Sequence, residues 1–247
     1  MKLNSEAMTT VSTAPPVWAQ SAFLNAVWVA TGESAEWVAS RTDALLRELQ
    51  SILGVSSWQT YKGDPWTGSA DELTAIVRRF VVREAPTADD PDGEALPKEG
   101  YSYIVSGSGA GVDVDVRVSA GGIALGRRVP RHTLSIDIRE TQPGSVTSEH
   151  GTAICAAVAQ IWAPSSFKLT DSQTNSSARR GGWKIGVGYR TWISAEVGTV
   201  SHLVDLLTAT ELAGGTLISA PDDWPAERVV EAMTATLREN GLDEVPH

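Results

Sequence analysis

The chain has 247 residues, enough for one large domain or two small ones, and its 42% hydrophobic content is too high for a disordered protein. A net charge of -10 opposes nucleic-acid binding, because phosphate contacts need Lys and Arg. The single cysteine, Cys155, excludes an intramolecular disulfide, and no apolar run nears the ~18 residues that span a bilayer, so a cytoplasmic protein with no membrane partner is expected.

Residues 1–16 are polar, rich in Ser and Thr, and lack the basic start and apolar stretch of a signal peptide. They are read as part of a disordered leader over 1–20, with a single α+β domain over 21–247. Residues 23–30 (FLNAVWVA) form a buried-strand pattern. Ser34 then opens a helix with Val38, Leu45, Leu49 and Ile52 at helical spacing, widened by Leu46 and Leu53, and Gly54 stops it. Residues 57–68 (SWQTYKGDPWTG) read as a loop. Ser69 and Glu72 form a capping box for a second helix with Leu73, Ile76, Val77 and Phe80 on its apolar face.

Residues 85–99 are rich in Pro, Asp and Glu and read as a loop or linker. The period then changes to two. Tyr101, Tyr103 and Val105, then Val112 to Val118, then Leu134, Ile136 and Ile138 alternate with polar residues, which predicts an antiparallel meander. A third helix is expected over 148–162, a mobile loop over 165–182 and a strand over 183–194. A short helix over 200–212, a strand over 215–220 and a closing helix after Pro225 follow. The fold expected is α+β, a mostly antiparallel sheet of about five to seven strands with helices packed against it.

The search for chemistry finds no catalytic residue. His132, His150, His202 and His247 do not pair at ligand spacing, and there is no CxxC or HExxH. Asp113 and Asp115 share one strand face and could share a cation, but the valines between them explain both as the solvent face of a half-buried strand. The GSGAG at 107–111 is a turn and not a phosphate loop, and no GxSxG elbow occurs. Cys155, mid-helix beside Ile154, reads as a buried thiol. None of the five lysines has Asp or Glu two positions earlier, so the chain lacks the signature of a restriction-type nuclease. No metal, cofactor or enzymatic activity is expected.

Nine tryptophans call for explanation. Trp28, Trp37, Trp162, Trp183 and Trp192 fall on predicted elements and read as core. Trp58, Trp66 and Trp224 fall in loops beside acids, and an aromatic anchor among charges is the composition of a protein-binding hot spot. The candidate partner-binding residues are therefore Trp58, Tyr61, Asp64, Trp66, Asp71, Glu72, Asp222, Asp223 and Trp224. A second reading folds each loop tryptophan back over a helix end. Residues 31–100 and 201–247 are acidic and 101–200 slightly basic. Acidic flanks favour a basic protein partner, or serve solubility alone.

The layout resembles the immunity protein 52 family of bacterial polymorphic toxin systems. The resemblance rests on the strand ending near Trp28, the ESAEWVASRTDALLRELQSI at 33–52, and the W-x-x-Y-x-G of Trp58, Tyr61 and Gly63. It continues in GWKIGVGYRTWIS at 182–194 and GGTLISAPDDW at 214–224. It covers most of 24–240 and is weak over 101–139 and 165–182. It implies an immunity protein, active in interbacterial competition, that binds and neutralises a cognate secreted toxin in the cytoplasm. The implied partner is a basic, nuclease-type toxin, inhibited by occlusion of its active site. The alternative is a small-molecule enzyme or ligand-binding domain with a spatially assembled site.

Overall fold

A computed structural model of the chain describes residues 15–29, 32–88, 90–123 and 132–245. Its centre is one antiparallel sheet of nine strands. In chain order these are β1 (Ser21–Trp28), β2 (Ser57–Thr60), β3 (Tyr101–Ser108), β4 (Val112–Ala120), β5 (His132–Glu140), β6 (Ser166–Asp171), β7 (Arg190–Ser194), β8 (Thr208–Leu212) and β9 (Gly215–Ser219). Their spatial order is β2-β3-β4-β5-β1-β6-β7-β9-β8. Among the described residues there are five α-helices: α1 (Ala35–Leu53), α2 (Ala70–Arg79), α3 (Ser148–Trp162), α4 (Ser172–Ala178) and α5 (Ala226–Glu239). The α+β class is as expected, and the sheet is larger than the five to seven strands anticipated. None of these helices is long and apolar enough to cross a membrane.

The helix signals of the sequence operate as written. The Ser34 hydroxyl accepts the Trp37 N–H at the start of α1, and Gly54 ends the helix in the left-handed region at φ 65°. At α2, Ser69 and Glu72 complete the reciprocal capping box. Thr147 opens α3, and His150 accepts the Thr147 N–H through Nδ1, doing the work usually given to Glu.

Three strands were not expected. β2 lies in the stretch read as a loop, β6 in the supposed mobile loop 165–182, and β8 in the supposed helix 200–212. Conversely, only residues 190–194 of the predicted strand 183–194 join the sheet. Gly188 packs so closely that a Cβ there would lie 2.4 Å from the Leu169 carbonyl oxygen. The chain slides across β6 at that point instead of pairing with it.

Register assigns the two faces. Leu24 sits opposite Ile136 and Leu169, and Val116 opposite Ile136 and Val105. These side chains form the core under α1, α2 and α3, together with the buried Leu45, Leu46, Leu49, Val77, Ile154 and Val158. α4 lies on the other side, since its Asn175 accepts a bond from Lys168, which alternates with Leu169 on β6. α5 packs against α4. One end of the sheet is thus covered on both faces, and Thr170, Thr191 and Ile193 are accordingly buried.

The fold also begins earlier than residue 21. Trp18 and Ala19 are buried in the core, and the Val17 N–H bonds the Asp222 carbonyl at 3.0 Å. A leader running to residue 20 is therefore too long, and residues 1–14 lie outside those described.

One core group makes stability depend on pH. His132 is buried, its Nε2 accepts the Gly122 N–H at 2.9 Å, and Glu33 stands near. Burial lowers its pKa, and the Glu33 charge opposes that only in part. The folded chain therefore resists a proton that the unfolded chain accepts near pH ~6.5. The contribution is full above that pH and is lost as pH falls through the folded-state value. Urea midpoints should drop more between pH 7.5 and pH 5 for the native chain than for His132→Gln, which keeps an acceptor without titrating. Equal drops would remove His132 as the cause.

Candidate partner-binding site

The three loop tryptophans offered as anchors are buried, and this corrects the hot-spot reading. Trp58 lies on β2 over Gly107, where an added Cβ would come within 2.6 Å of the indole. Trp66 stacks on Tyr103 at 5.8 Å and 14°. Trp224 is capped by the Arg228 guanidinium 3.9 Å from its ring, and its carbonyl accepts the Tyr189 hydroxyl at 2.9 Å. Each indole closes over the end of an element because its apolar area is worth more inside than beside the acids near it.

Most of the acids beside them have structural partners. Glu72 is bound to Ser69, whose backbone N–H first and hydroxyl second hold the carboxyl below its usual range. Asp64 accepts from the backbone-anchored Thr60 loop and lies 3.4 Å from Arg79. Asp222 takes the Trp18 indole N–H at 2.8 Å and an ion pair with Arg190 at 2.8 Å. Tyr61, Asp71 and Asp223 remain exposed, Tyr61 at 58%. The two supposed patches also stand apart. One is at β2 and the other follows β9, seven strand steps away, which is about 30 Å at the usual spacing.

The surface that does stand open is the second face of β2, β3, β4, β5 and β1. Among the described residues no helix lies over it. Register aligns Ser106, Asp115, Asp137 and Phe23 in one row across it, and Ile104, Arg117, Ser135 and Asn25 in the next. Arg139 and Asp113 meet at 2.7 Å with side chains 70% and 37% exposed, and Arg117 reaches Asp137 at 3.3 Å. The DxD of Asp113 and Asp115 is therefore the solvent face of a valine-backed strand. Its Asp113 carboxyl is held low by the Arg139 bond first and the Ser108 hydroxyl second. Asp137 is pushed the other way by burial, with Arg117 opposing and Asp115 adding to the rise. Asp115 and Asp137 are direct cross-strand neighbours, an arrangement that like charges disfavour.

No family model matches the chain, and no curated protein is significantly similar to it. Among solved structures, the Pseudomonas aeruginosa T6SS protein PA0821 is similar at a TM-score of 0.46 and 9% identity, over 89% of this chain and 72% of that one.

Cys155 lies on the buried face of α3, and burial pushes its thiol up to about 12 against the weak pull of Arg190, which leaves it inert. Among the described residues, no group of three or more His, Cys, Asp or Glu could hold a metal ion. The polar alternation of 101–139 was the signal for this face. It was legible as three solvent-facing strands, but not as one continuous surface, because the pairing of β1 beside β5 is not encoded locally.

Proposed function

We propose that this chain is an immunity protein, which binds one secreted toxin in the cytoplasm and neutralises it by covering the toxin's active site, without catalysis of its own. The open, polar face of β2, β3, β4, β5 and β1 carries the reading. Four strands of eight or nine residues and the four-residue β2 expose about 600 Å², close to the ~800 Å² that one partner gives to a standard interface. Such a face, hydroxyl-rich and salt-bridged, suits a partner that is met after both proteins have folded. The Asp115–Asp137 opposition is relieved when a cationic side chain docks between them. A nuclease fits this chemistry, since carboxylates take the place of phosphates in a basic cleft.

Co-expression in a susceptible cell with the toxin encoded beside this chain tests the proposal, with protection expected and unprotected death overturning it. The kinetics carry a second expectation. The net charge of -10 steers a basic partner, so the association rate should fall as salt rises and the Debye length shrinks from about 10 Å at 0.1 M to about 3 Å at 1 M. Asp115→Lys should slow association at low salt while leaving the melting temperature nearly unchanged. A salt-independent rate would exclude steering and leave an apolar contact.

A further inference from the structure

The open face ends in a cavity of about 210 Å³ where β6 meets the segment 180–186. Its wall holds Lys168, Arg180 and Lys184, with Asn25, Thr133 and Ser166 as neutral polar neighbours, and no Asp or Glu among the described residues. That is unusual in a chain with 30 acids against 20 bases. Two of the cations are compensated from behind. Arg180 bonds the Ile185 carbonyl through Nε and Asp243 through Nη2, each at 2.8 Å. Lys184 pairs with Asp243 and with Glu244. The Arg180 guanidinium plane is thereby fixed, and Nη1 has no partner among the described residues.

Lys168 is different. It has no carboxylate within ion-pair distance among the described residues, and its ammonium bonds only the neutral Asn175 side chain on α4. Its stem is pressed against Gly186, where an added Cβ would lie 2.7 Å from Lys168 Cδ, so the glycine lets the loop hold the lysine in place. A half-buried ammonium without a counter-charge is costly unless something supplies one. We infer that this cavity binds a small oxyanion, a carboxylate or phosphate group, between the Lys168 ammonium and the Arg180 guanidinium, with the Thr133 and Ser166 hydroxyls as further donors. The inference is independent of toxin binding, since the cavity is complete within this chain.

The ionisation of Lys168 agrees with the geometry. Burial first, and the Arg180 charge second, lower its pKa to about 8. The charged groups around it are Arg180 and Lys184 from the loop, with Asp243 and Glu244 behind them. Asn175 from α4 and Asn25 and Thr133 from β1 and β5 are neutral. An anion restores the charged form, so affinity should be greatest below pH 8 and should fall roughly tenfold for each pH unit above it.

The test titrates the full chain with inorganic phosphate and, separately, with acetate, by calorimetry and by NMR of the lysine side chains. Saturable binding is expected with the Lys168 resonance shifting. Saturation by phosphate alone assigns a phosphorylated ligand, and saturation by acetate as well assigns a carboxylate. Lys168→Met, which keeps the packed stem, and Arg180→Gln should each weaken binding at least about tenfold, as loss of one charge-assisted partner implies, while Lys62→Met on the distant α2 side leaves it unchanged. Should Lys168→Met fail to fold, the loss of native-chain affinity from pH 8 to pH 9 reports the same group. Absence of saturation by either anion at about 50 mM, a threshold weaker than any specific site, overturns the inference. So does an affinity that ignores both pH and Lys168→Met.

Discussion

Trp66→Ala should lower the unfolding free energy by about 3–5 kcal/mol, the usual cost of deleting a buried aromatic ring, and should remove partner binding only in proportion to the unfolded fraction. The indole is buried and stacked on Tyr103, whose ring also contacts Phe80. Tyr103 is itself fixed by a 2.7 Å bond to Thr42 on α1, and burial raises its hydroxyl pKa further despite that bond. Truncation at 66 therefore loosens the contact of the β2 loop, α1 and β3 together. Trp66→Phe discriminates between lost volume and lost polarity. The Trp66 Nε1 has no hydrogen-bond partner among the described residues, so removing it forfeits no bond. The phenylalanine chain should lose about 1 kcal/mol, mainly from volume. Urea unfolding of both variants, alongside the affinity of Trp66→Phe for the proposed partner, separates the cases. A Trp66→Ala chain of native stability with weakened affinity would restore Trp66 to an interface.

The Trp66 case shows why the site was harder to read than the fold. Around Trp58 and Trp66 the acids looked like a ring about an exposed anchor. In the folded chain Glu72 is a cap and Asp64 a partner for Arg79, both local duties that helices and turns create. Composition cannot tell an acid used inside an element from one offered to a partner. Periodicity, by contrast, reports burial directly, so α1, α2, α3, β3, β4 and β5 were all legible. It failed where burial and polarity part company. β6 has buried Ser166 and Thr170 on the face covered near α4, so its hydrophobic pattern is weak although both faces are enclosed. β8 is exposed almost throughout and has no buried face to pattern, while Val200, Leu203, Leu206 and Leu207 before it imitate a helix. The Lys168 cavity draws on β1, β5, β6 and the 180–186 loop, and no window of sequence contains it.

Asp222→Ala should be destabilising by about 3–5 kcal/mol, because it strands a buried charge. Arg190 on β7 has a side chain only 5% exposed, and that of Asp222 is 20% exposed. The guanidinium bonds the Tyr189 and Ala220 carbonyls at 3.0 and 2.9 Å, the Ser148 hydroxyl at 3.0 Å, and Asp222 at 2.8 Å. Those neutral acceptors orient the cation, and Asp222 supplies its only full counter-charge within ion-pair distance among the described residues. The same carboxylate receives the Trp18 indole, and the Asp222 carbonyl receives the Val17 N–H, so this one residue ties residues 17 and 18, α3, β7 and the turn after β9 together. Asp222→Asn keeps the shape and one acceptor and should cost less than Asp222→Ala. Arg190→Met combined with Asp222→Ala should recover part of the loss, since the stranded charge is gone, giving a coupling energy of about 1–3 kcal/mol in a double-mutant cycle. Faster hydrogen exchange at the Trp18 indole N–H should accompany Asp222→Ala, as its carboxylate acceptor is removed. An Asp222→Ala chain that keeps its unfolding midpoint and loses only partner affinity would overturn this assignment and return Asp222 to the binding surface.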